Sequence, residues 1–204
     1  MDNSYYRQAR FLISAGNASQ FPSIGGYEVA FAGRSNAGKS SAINTLCDNR
    51  TLAKTSKTPG RTRLINFFAL DDERRLTDLP GYGYARVPEA MKLEWQSLLE
   101  DYLRLSPSLC GMVIIMDIRH PLTEFDWHLL EWCRHYELPV HVLLTKADKL
   151  KRGPAQNTLM DVCKQLRQNG LNASVQTFSS LKKTGLDELV AKLNEWLRLT
   201  PDSE

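Results

Sequence analysis

The stretch GRSNAGKS occupies residues 33–40 and matches the phosphate-loop pattern of Gly, four variable residues, Gly, Lys and Ser. Glycine lets the backbone approach a polyphosphate closely and turn its N–H groups toward it, so Gly33 and Gly38 suit a phosphate cradle. Lys39 supplies a positive charge for the β- and γ-phosphates, and Ser40 supplies a hydroxyl for Mg²⁺. The stretch therefore predicts a nucleoside triphosphate site.

The residues on either side of this loop favour the same interpretation. Residues 29–32 form an apolar run that predicts a buried strand, which we place at 27–32, and residues 41–46 can open a helix with Ala42 and Leu46 turned inward. A strand, a Gly-rich loop and a helix N-terminus, in this order, are the arrangement that binds phosphate.

Strands and helices alternate along the rest of the chain. Apolar runs predict further strands at 64–70, 74–79, 111–117, 140–145 and 174–178. Helical spacing of apolar residues predicts helices near 88–102, 122–136, 154–169 and 186–197. A short turn between the first two of these strands predicts an antiparallel hairpin. We therefore expect an α/β, three-layer fold with a mostly parallel six-stranded sheet, one antiparallel edge strand and helices on both faces.

Length and composition indicate one domain and an intracellular setting. The chain has 204 residues, enough for one sizeable core, and we expect an N-terminal arm at 1–26, a nucleotide-binding domain at 27–200 and a tail at 201–204. The four cysteines have no C-x-x-C spacing, and no apolar run is long enough for a signal peptide or a membrane span. We expect a cytoplasmic monomer that does not bind membranes.

Polar residues follow the predicted strands at the sheet edge where parallel sheets bind ligands. Residues 78–81 read Asp-Leu-Pro-Gly. The carboxylate of Asp78 can hold Mg²⁺ through water, and the Gly81 N–H can reach a γ-phosphate.

The next two strand ends indicate which base is bound. In Thr-Lys-Ala-Asp at 145–148, Asp148 can accept hydrogen bonds from the N1–H and the 2-amino group of guanine, neither of which adenine offers. The alkyl stem of Lys146 can lie along the base. In Phe-Ser-Ser at 178–180, a backbone N–H, most plausibly that of Ser180, can reach the guanine O6. The order of these motifs is typical of GTP-binding proteins of the translation-factor class.

Five segments carry a closer resemblance. They read GRSNAGKS at 33–40, KTPGRTRLINFF at 57–68, DLPGYGY at 78–84, DIRHP at 117–121 and TKADKL at 145–150. Together they closely resemble the EngB/YihA/YsxC family of bacterial GTPases. The resemblance implies a Ras-like G domain, a role in assembly of the large ribosomal subunit, and a requirement for normal cell division and septation.

The basic stretch 50–63 contains two threonines that could bind Mg²⁺, Thr58 and Thr62. Related bacterial GTPases carry Gly-x-Thr-Arg here, and residues 60–63 match it, so the resemblance favours Thr62, with Thr58 as the alternative. Thr62 would close on Mg²⁺ and the γ-phosphate in the GTP state and release them after hydrolysis.

Hydrolysis by this site is expected to be slow. Many switch GTPases place a water-orienting Gln directly after Asp-x-x-Gly, and this chain has Tyr82 there. In related GTPases with a hydrophobic residue at that position, an Asn equivalent to Asn36 helps bind K⁺, so the resemblance implies K⁺ as a possible activating cation. The catalytic candidates are Lys39, Thr62 and Gly81.

The predicted GTP contacts come from the phosphate loop, the basic stretch and the three strand ends. They are Gly33, Arg34, Ser35, Asn36, Ala37, Gly38, Lys39, Ser40, Ser41, Gly60, Arg61, Thr62, Arg63, Leu64, Asp78, Leu79, Pro80, Gly81, Thr145, Lys146, Ala147, Asp148, Phe178, Ser179 and Ser180. The predicted Mg²⁺ ligands are Ser40, Thr62 and, through water, Asp78.

Three functions are considered for a chain with these motifs. A switch that binds the ribosomal precursor through rRNA and ribosomal proteins fits the basic residues near the predicted nucleotide face, which are those of 50–63 together with Lys146, Lys149, Lys151, Arg152, Lys182 and Lys183. A non-ribosomal switch that regulates a protein partner is the alternative. An ATPase or small-molecule kinase on the same loop is disfavoured by Asp148.

Overall fold

The computed structural model describes residues 3–23, 25–54, 64–82 and 89–199, with only the backbone described at 89–92. Within these residues it contains seven strands, β1 (Arg10–Ala15), β2 (Tyr27–Gly33), β3 (Ile65–Ala69), β4 (Arg74–Asp78), β5 (Leu109–Asp117), β6 (Val140–Thr145) and β7 (Ala173–Thr177). The α-helices are α1 (Lys39–Leu46), α2 (Glu89–Leu105), α3 (Glu124–His135), α4 (Arg152–Gln168) and α5 (Leu186–Trp196).

All seven strands belong to one sheet, in the order β1-β3-β4-β2-β5-β6-β7. Strand β2 pairs in parallel with β4 and β5, and β6 continues the parallel ladder to β7. Strand β3 runs antiparallel to β4, as the short connection between them predicted. The predicted class, a mostly parallel α/β sheet with helices on both faces, is confirmed.

The predicted strand count and edge are wrong, because the sheet has seven strands and β3 is not at its edge. Strand β1, from the region expected to be an arm, pairs antiparallel with β3 from Arg10 opposite Ala69 to Ala15 opposite Ile65. An uncovered β3 would leave a row of backbone N–H and C=O groups unpaired, and β1 satisfies them. Phe11 also packs edge-to-face on Phe68, with ring centroids 6.3 Å apart.

The residues before β1 are also packed onto the domain. The Tyr6 side chain is fully buried, and its hydroxyl donates to Asn194 Oδ1 of α5 at 2.7 Å. The Asn3 side-chain amide donates to the carbonyl oxygen of Leu46, at the end of α1, at 2.8 Å. The N-terminal region therefore contacts helices from the beginning and the end of the domain.

The sheet separates two hydrophobic cores, because successive strand residues point to opposite faces. Met112 and Ile114 of β5 face a core that contains Leu99, Leu129 and Leu166 of α2, α3 and α4. Val113 and Ile115 face the other core, which is built from α1 and α5 and includes Ile43, Leu46, Leu189 and Leu193. This layering places the carboxyl ends of β2, β4, β5, β6 and β7 along one edge.

The cysteines and helices agree with a domain built around these cores. All four cysteines are free thiols, with Cys47 and Cys133 buried. Burial raises the pKa of both buried thiols to about 12, which makes them poor nucleophiles. Among the described residues, no helix combines the length and apolarity that a membrane crossing requires.

A buried ionic cluster joins β2, β4 and α2 at the end of the sheet opposite the phosphate loop. Glu28, only 1% exposed, accepts hydrogen bonds from Arg75 Nε and from the Tyr102 hydroxyl. Arg75 also donates to the carbonyl oxygen of Gly25 at 3.3 Å. A buried charge is tolerated when it is paired in this way, so Glu28 and Arg75 depend on each other.

Replacing Glu28 by Gln should destabilise the domain strongly. The substitution keeps the size of the side chain but leaves the buried Arg75 guanidinium without a counter-charge, and we expect a loss of about 3 kcal/mol. Denaturant unfolding with an unchanged m-value measures this loss. Glu73→Gln is the matched control, since the Glu73 side chain is 69% exposed beside Arg74 and should change stability by less than about 0.5 kcal/mol. Equal midpoints for the two variants would contradict the prediction.

Candidate nucleotide-binding site

The phosphate loop connects β2 to α1, and its glycines stand where the backbone needs them. A Cβ on Gly33 would lie 2.8 Å from the Ile115 carbonyl oxygen, so a side chain does not fit against β5. Gly38 adopts a φ of 108°, which side-chain-bearing residues rarely reach, and α1 begins at the next residue, Lys39. The loop therefore presents the N-terminus of α1 at the carboxyl edge of the sheet.

The end of β6 fixes this loop from the side. The Thr145 hydroxyl lies within hydrogen-bond reach of the carbonyl oxygen of Ala37 in the loop and, at 3.0 Å, of that of Met116 in β5. Thr145 is 2% exposed, so this polar contact is shielded from water. The first residue of the Thr-Lys-Ala-Asp motif thus has a structural function that its sequence position alone did not indicate.

Lys39 and the carboxylate at the end of β4 are direct partners. Lys39 Nζ donates to Asp78 Oδ1, and both side chains are largely buried. The Ser40 hydroxyl, adjacent in sequence to Lys39, donates to the carbonyl oxygen of Lys54 at 3.3 Å. Hydroxyl and carboxylate oxygens are the ligands that Mg²⁺ prefers, so Ser40 and Asp78 fit this ion.

The residues after Asp78 lie against the phosphate loop. The Leu79 N–H donates to the carbonyl oxygen of Phe31 at 3.0 Å, and the Ser35 N–H donates to that of Tyr82 at 2.8 Å. A Cβ on Gly81 would lie 3.5 Å from the Ser35 backbone. These contacts bring the Asp-x-x-Gly motif to the loop, as expected for a motif that responds to a γ-phosphate.

Tyr82 points away from the phosphate loop and into the core next to α3. Its hydroxyl donates to Asp126 Oδ1 at 2.8 Å, and its ring packs on Trp95 with centroids 5.5 Å apart. Burial and the Asp126 carboxylate raise the pKa of Tyr82 well above its ordinary value. The phenol is therefore neutral, and its O–H is directed at Asp126. It is not placed to orient a water molecule in the way a Gln would.

Asp148 is held by the last strand end. The Ser179 hydroxyl donates to Asp148 Oδ1 at 2.7 Å and accepts from the Lys182 N–H at 3.2 Å, so its direction is fixed. The hydrogen bond from Ser179 is the main reason that the pKa of Asp148 is lowered, and the carboxylate stays ionised at neutral pH. The Ala147 N–H donates to the carbonyl oxygen of Phe178 at 3.1 Å. The two predicted base-binding segments are therefore neighbours.

Lys146 bridges the phosphate loop and the end of β5. Its Nζ lies 2.6 Å from the carbonyl oxygen of Asn36 and 3.0 Å from Asp117 Oδ2. The backbone of Lys146 is left-handed, with a φ of 58°. This conformation sends the side chain back across the strand ends, where its stem can lie beside a base.

Among the described residues, the phosphate loop contacts both the Asp-Leu-Pro-Gly segment and the end of β6, and Asp148 contacts Ser179. Leu64, 42% exposed, directly precedes β3. Four predicted contacts, Gly60, Arg61, Thr62 and Arg63, lie outside the described residues, as does the alternative Thr58. Their assignment stays a prediction.

Sequence reasoning missed the role of two polar groups. Asp117 was noted only within a family motif, although it ends a buried strand and lies directly opposite Thr145 in the β5–β6 register. In the segment 178–180 only a backbone N–H, that of Ser180, was singled out, whereas the Ser179 hydroxyl contacts the Asp148 carboxylate. In both cases, the sequence signal that could have revealed the role is a polar residue at the end of a predicted strand.

A cavity of about 290 Å³ lies between the phosphate loop and the residues that follow β5. Its walls include Arg34, Asn36, Asp117, Arg119 and Lys146. Among the described residues, no group of three or more His, Cys, Asp or Glu side chains could hold a metal ion.

Asp148→Asn should change base choice. The variant replaces an acceptor by an amide that mismatches the guanine N1–H and 2-amino donors, so GDP affinity should fall severely, by up to about 10⁴-fold. Xanthosine diphosphate, with O2 in place of the 2-amino group, should bind the variant better than it binds the wild type. Titration with fluorescent analogues of both nucleotides measures this. Equal affinity of the wild type for ATP and GTP would refute the assignment of residues 145–148.

Comparison with known proteins identifies the family. A family model described as "50S ribosome-binding GTPase" matches residues 28–146. A protein of Hydrogenovibrio crunogenus named "Probable GTP-binding protein EngB" is 54% identical over 197 residues, which are 97% of this chain and 93% of that protein.

Solved structures agree on the fold. A crystal structure of a probable GTP-binding protein engB has a TM-score of 0.68 at 20% identity, covering 85% of this chain and 100% of that chain. Era, crystallised with MgGDPNP and a fragment of 16S ribosomal RNA, has a TM-score of 0.62 at 22% identity, covering 89% of this chain and 59% of that chain. With the family model and the 54% identical relative, this chain belongs to the EngB family of GTP-binding proteins.

Proposed function

We propose that this EngB-family GTPase acts in the cytoplasm as a nucleotide-dependent switch in assembly of the large ribosomal subunit, and that normal cell division and septation depend on it. The observation that carries the proposal is a set of exposed basic side chains around the base-binding loops, namely Lys149, Lys151, Arg152, Lys182 and Lys183. Phosphates of rRNA are the natural partner for such a set.

These cations are largely available to a partner. The side chains of Lys151, Arg152 and Lys182 are exposed. Lys183 lies 3.4 Å from Asp48, but 60% of its side chain is exposed. Arg50, the first basic residue of the stretch 50–63, stands two positions after Asp48 in the sequence. The family model's description as ribosome-binding supports the same partner.

Lys39, Thr62 and Gly81 would carry hydrolysis of GTP. Lys39 and the Gly81 N–H would contact the phosphates, and Ser40, Thr62 and Asp78 would hold Mg²⁺, Asp78 through water. When bound, Mg²⁺ neutralises charge that develops on the β- and γ-phosphate oxygens. The Tyr82 hydroxyl is directed to Asp126, so no side chain at the usual Gln position orients the attacking water. Intrinsic hydrolysis is therefore slow, and a cation or the bound partner completes the site.

Potassium should accelerate this reaction through Asn36. The residue is exposed on the phosphate loop and lies at the mouth of the site. Turnover in Na⁺ should be roughly 10⁻⁴ to 10⁻² s⁻¹, as in unassisted switches, and K⁺ should raise it. Asn36→Ala should remove most of the gain, whereas Tyr82→Phe, which keeps the buried ring, should change turnover little. Single-turnover phosphate release in the two salts provides the measurement. Equal rates with bound GTP confirmed would exclude a cation role.

The alternative is a switch that regulates a protein partner outside the ribosome. The edge strand β1 favours this alternative, because its residues Phe11, Leu12 and Ile13 are 57%, 41% and 39% exposed. An exposed strand edge with apolar side chains can pair with an extended segment of another protein. Co-sedimentation with large ribosomal subunits, in GTP and in GDP, separates the two functions.

The basic stretch should make subunit binding sensitive to both salt and nucleotide. Ordering of this stretch around the γ-phosphate through Thr62 would fix its charges in one arrangement, so GTP should strengthen binding. Replacing Lys54, Lys57 and Arg61 by Ala should weaken subunit binding and reduce its salt slope by nearly one unit for each lost phosphate contact. Binding measured across KCl concentrations tests both effects.

A second triple variant is the matched control for charge. Arg104, Lys164 and Arg167 are exposed near the opposite edge of the sheet, close to the starts of β5 and β7. Their replacement by Ala removes the same charge and should leave the salt slope unchanged. Nucleotide affinity should fall much less than subunit affinity in the first variant and change little in the second. Unchanged subunit affinity and slope in the first variant would remove the basic stretch from the interface and favour the protein partner.

A further inference from the structure

The carboxylate of Asp117, the last residue of β5, contacts two cationic side chains, those of Arg119 and Lys146. Its Oδ1 accepts from the Arg119 backbone N–H at 3.0 Å and from Arg119 Nε at 2.9 Å. Its Oδ2 accepts from Arg119 Nη2 at 2.6 Å and lies 3.0 Å from Lys146 Nζ. The fork of Arg119 fixes the plane of the carboxylate, which leaves Oδ2 directed at Lys146.

The same Lys146 ammonium also holds the phosphate loop. It donates to the carbonyl oxygen of Asn36 at 2.6 Å. Asn36 and Lys146 both have left-handed backbones, with φ values of 62° and 58°, a conformation that persists only when its surroundings maintain it. A strong hydrogen bond between these two residues supplies such support, and Asp117 determines where the ammonium lies.

The charge of Asp117 is needed for this arrangement. Burial tends to raise the pKa of Asp117, but hydrogen bonds from Arg119 and Lys146 outweigh it and keep that pKa well below its usual range. The carboxylate is therefore ionised at neutral pH, between two cations. Without its charge, the Lys146 and Arg119 cations would repel each other, and Lys146 would leave the Asn36 carbonyl.

We propose that Asp117 is a positioning residue for guanine nucleotide binding, which acts by holding the Lys146 ammonium on the Asn36 carbonyl oxygen. The phosphate loop is then presented in its binding conformation before the nucleotide arrives, and the stem of Lys146 is aligned beside the base. Pre-organisation of this kind increases affinity because less ordering remains for the binding step. The proposal rests on residues 145–148 forming the base site.

A double-mutant cycle on GDP binding tests whether Asp117 acts through Lys146. The variants are Asp117→Asn, Lys146→Met and the double variant, and the probe is N-methylanthraniloyl-GDP. Asp117→Asn should weaken binding about tenfold or more, the usual effect of losing a charged hydrogen bond. In the Lys146→Met background, the same Asp117→Asn change should cost less than about twofold, because its target is gone.

Two further variants separate positioning from a general loss of stability. Asp117→Glu keeps the charge and should lose less affinity than Asp117→Asn. Asp101→Asn removes an exposed ion pair with Arg104, at 2.8 Å on α2, and should change affinity by less than about twofold. Thermal unfolding of the nucleotide-free variants identifies any that are merely unfolded, and Asp117→Glu then carries the comparison.

Two results would overturn the proposal. One is full affinity in Asp117→Asn, and the other is an equal loss in the wild-type and Lys146→Met backgrounds. The preference of Asp117→Asn for GDP over ADP should persist, because Asp148 and Ser179 are untouched. A wrong base-site assignment would instead appear as unchanged base choice in Asp148→Asn, so the two failures are distinguishable.

Discussion

The Thr145 hydroxyl, wedged between the carbonyl oxygens of Ala37 and Met116, joins the phosphate loop to two neighbouring strands. A loop rich in glycine has many accessible conformations, and ordering it costs free energy. The contact from β6, together with that from Lys146 to Asn36, moves this cost from nucleotide binding to folding. The phosphate loop is thereby connected to the predicted base site, since Thr145 and Lys146 stand just before Asp148 in one short segment.

The rest of the domain keeps that segment in register. Parallel pairing of β5 with β6 puts Asp117 opposite Thr145, and pairing of β6 with β7 brings Ser179 to Asp148. At the other end of the sheet, the Glu28 cluster fixes the end of α2 through Tyr102. The same helix begins shortly after the Asp-x-x-Gly segment in the sequence. The C-terminal end of α2 is therefore anchored by the Glu28 cluster, and its N-terminal end follows a motif of the site.

Much of the fold was predictable from sequence because its signals are local. Apolar runs marked β5 and β6, helical spacing marked the helices, and the motif residues fell at strand ends. Strand β1 was not recognised, since Phe11, Leu12 and Ile13 are consecutive apolar residues with exposed side chains, and nothing in that pattern alternates. The contacts of Asp117 and Ser179 depend on the register between distant strands, which no local pattern encodes. The choice between Thr58 and Thr62 stays a prediction for the same reason, because it depends on how a loop meets its ligand.

The contact between Tyr6 and Asn194 has a consequence for synthesis of the protein. These residues are 188 positions apart, so the Tyr6 hydroxyl lacks this acceptor until α5 has been translated. Chains generally fold from the N-terminus as they emerge, and the N-terminal segment can meet α1 and β3 early. The contact with α5 is therefore a late step, which closes the N-terminal segment onto the domain.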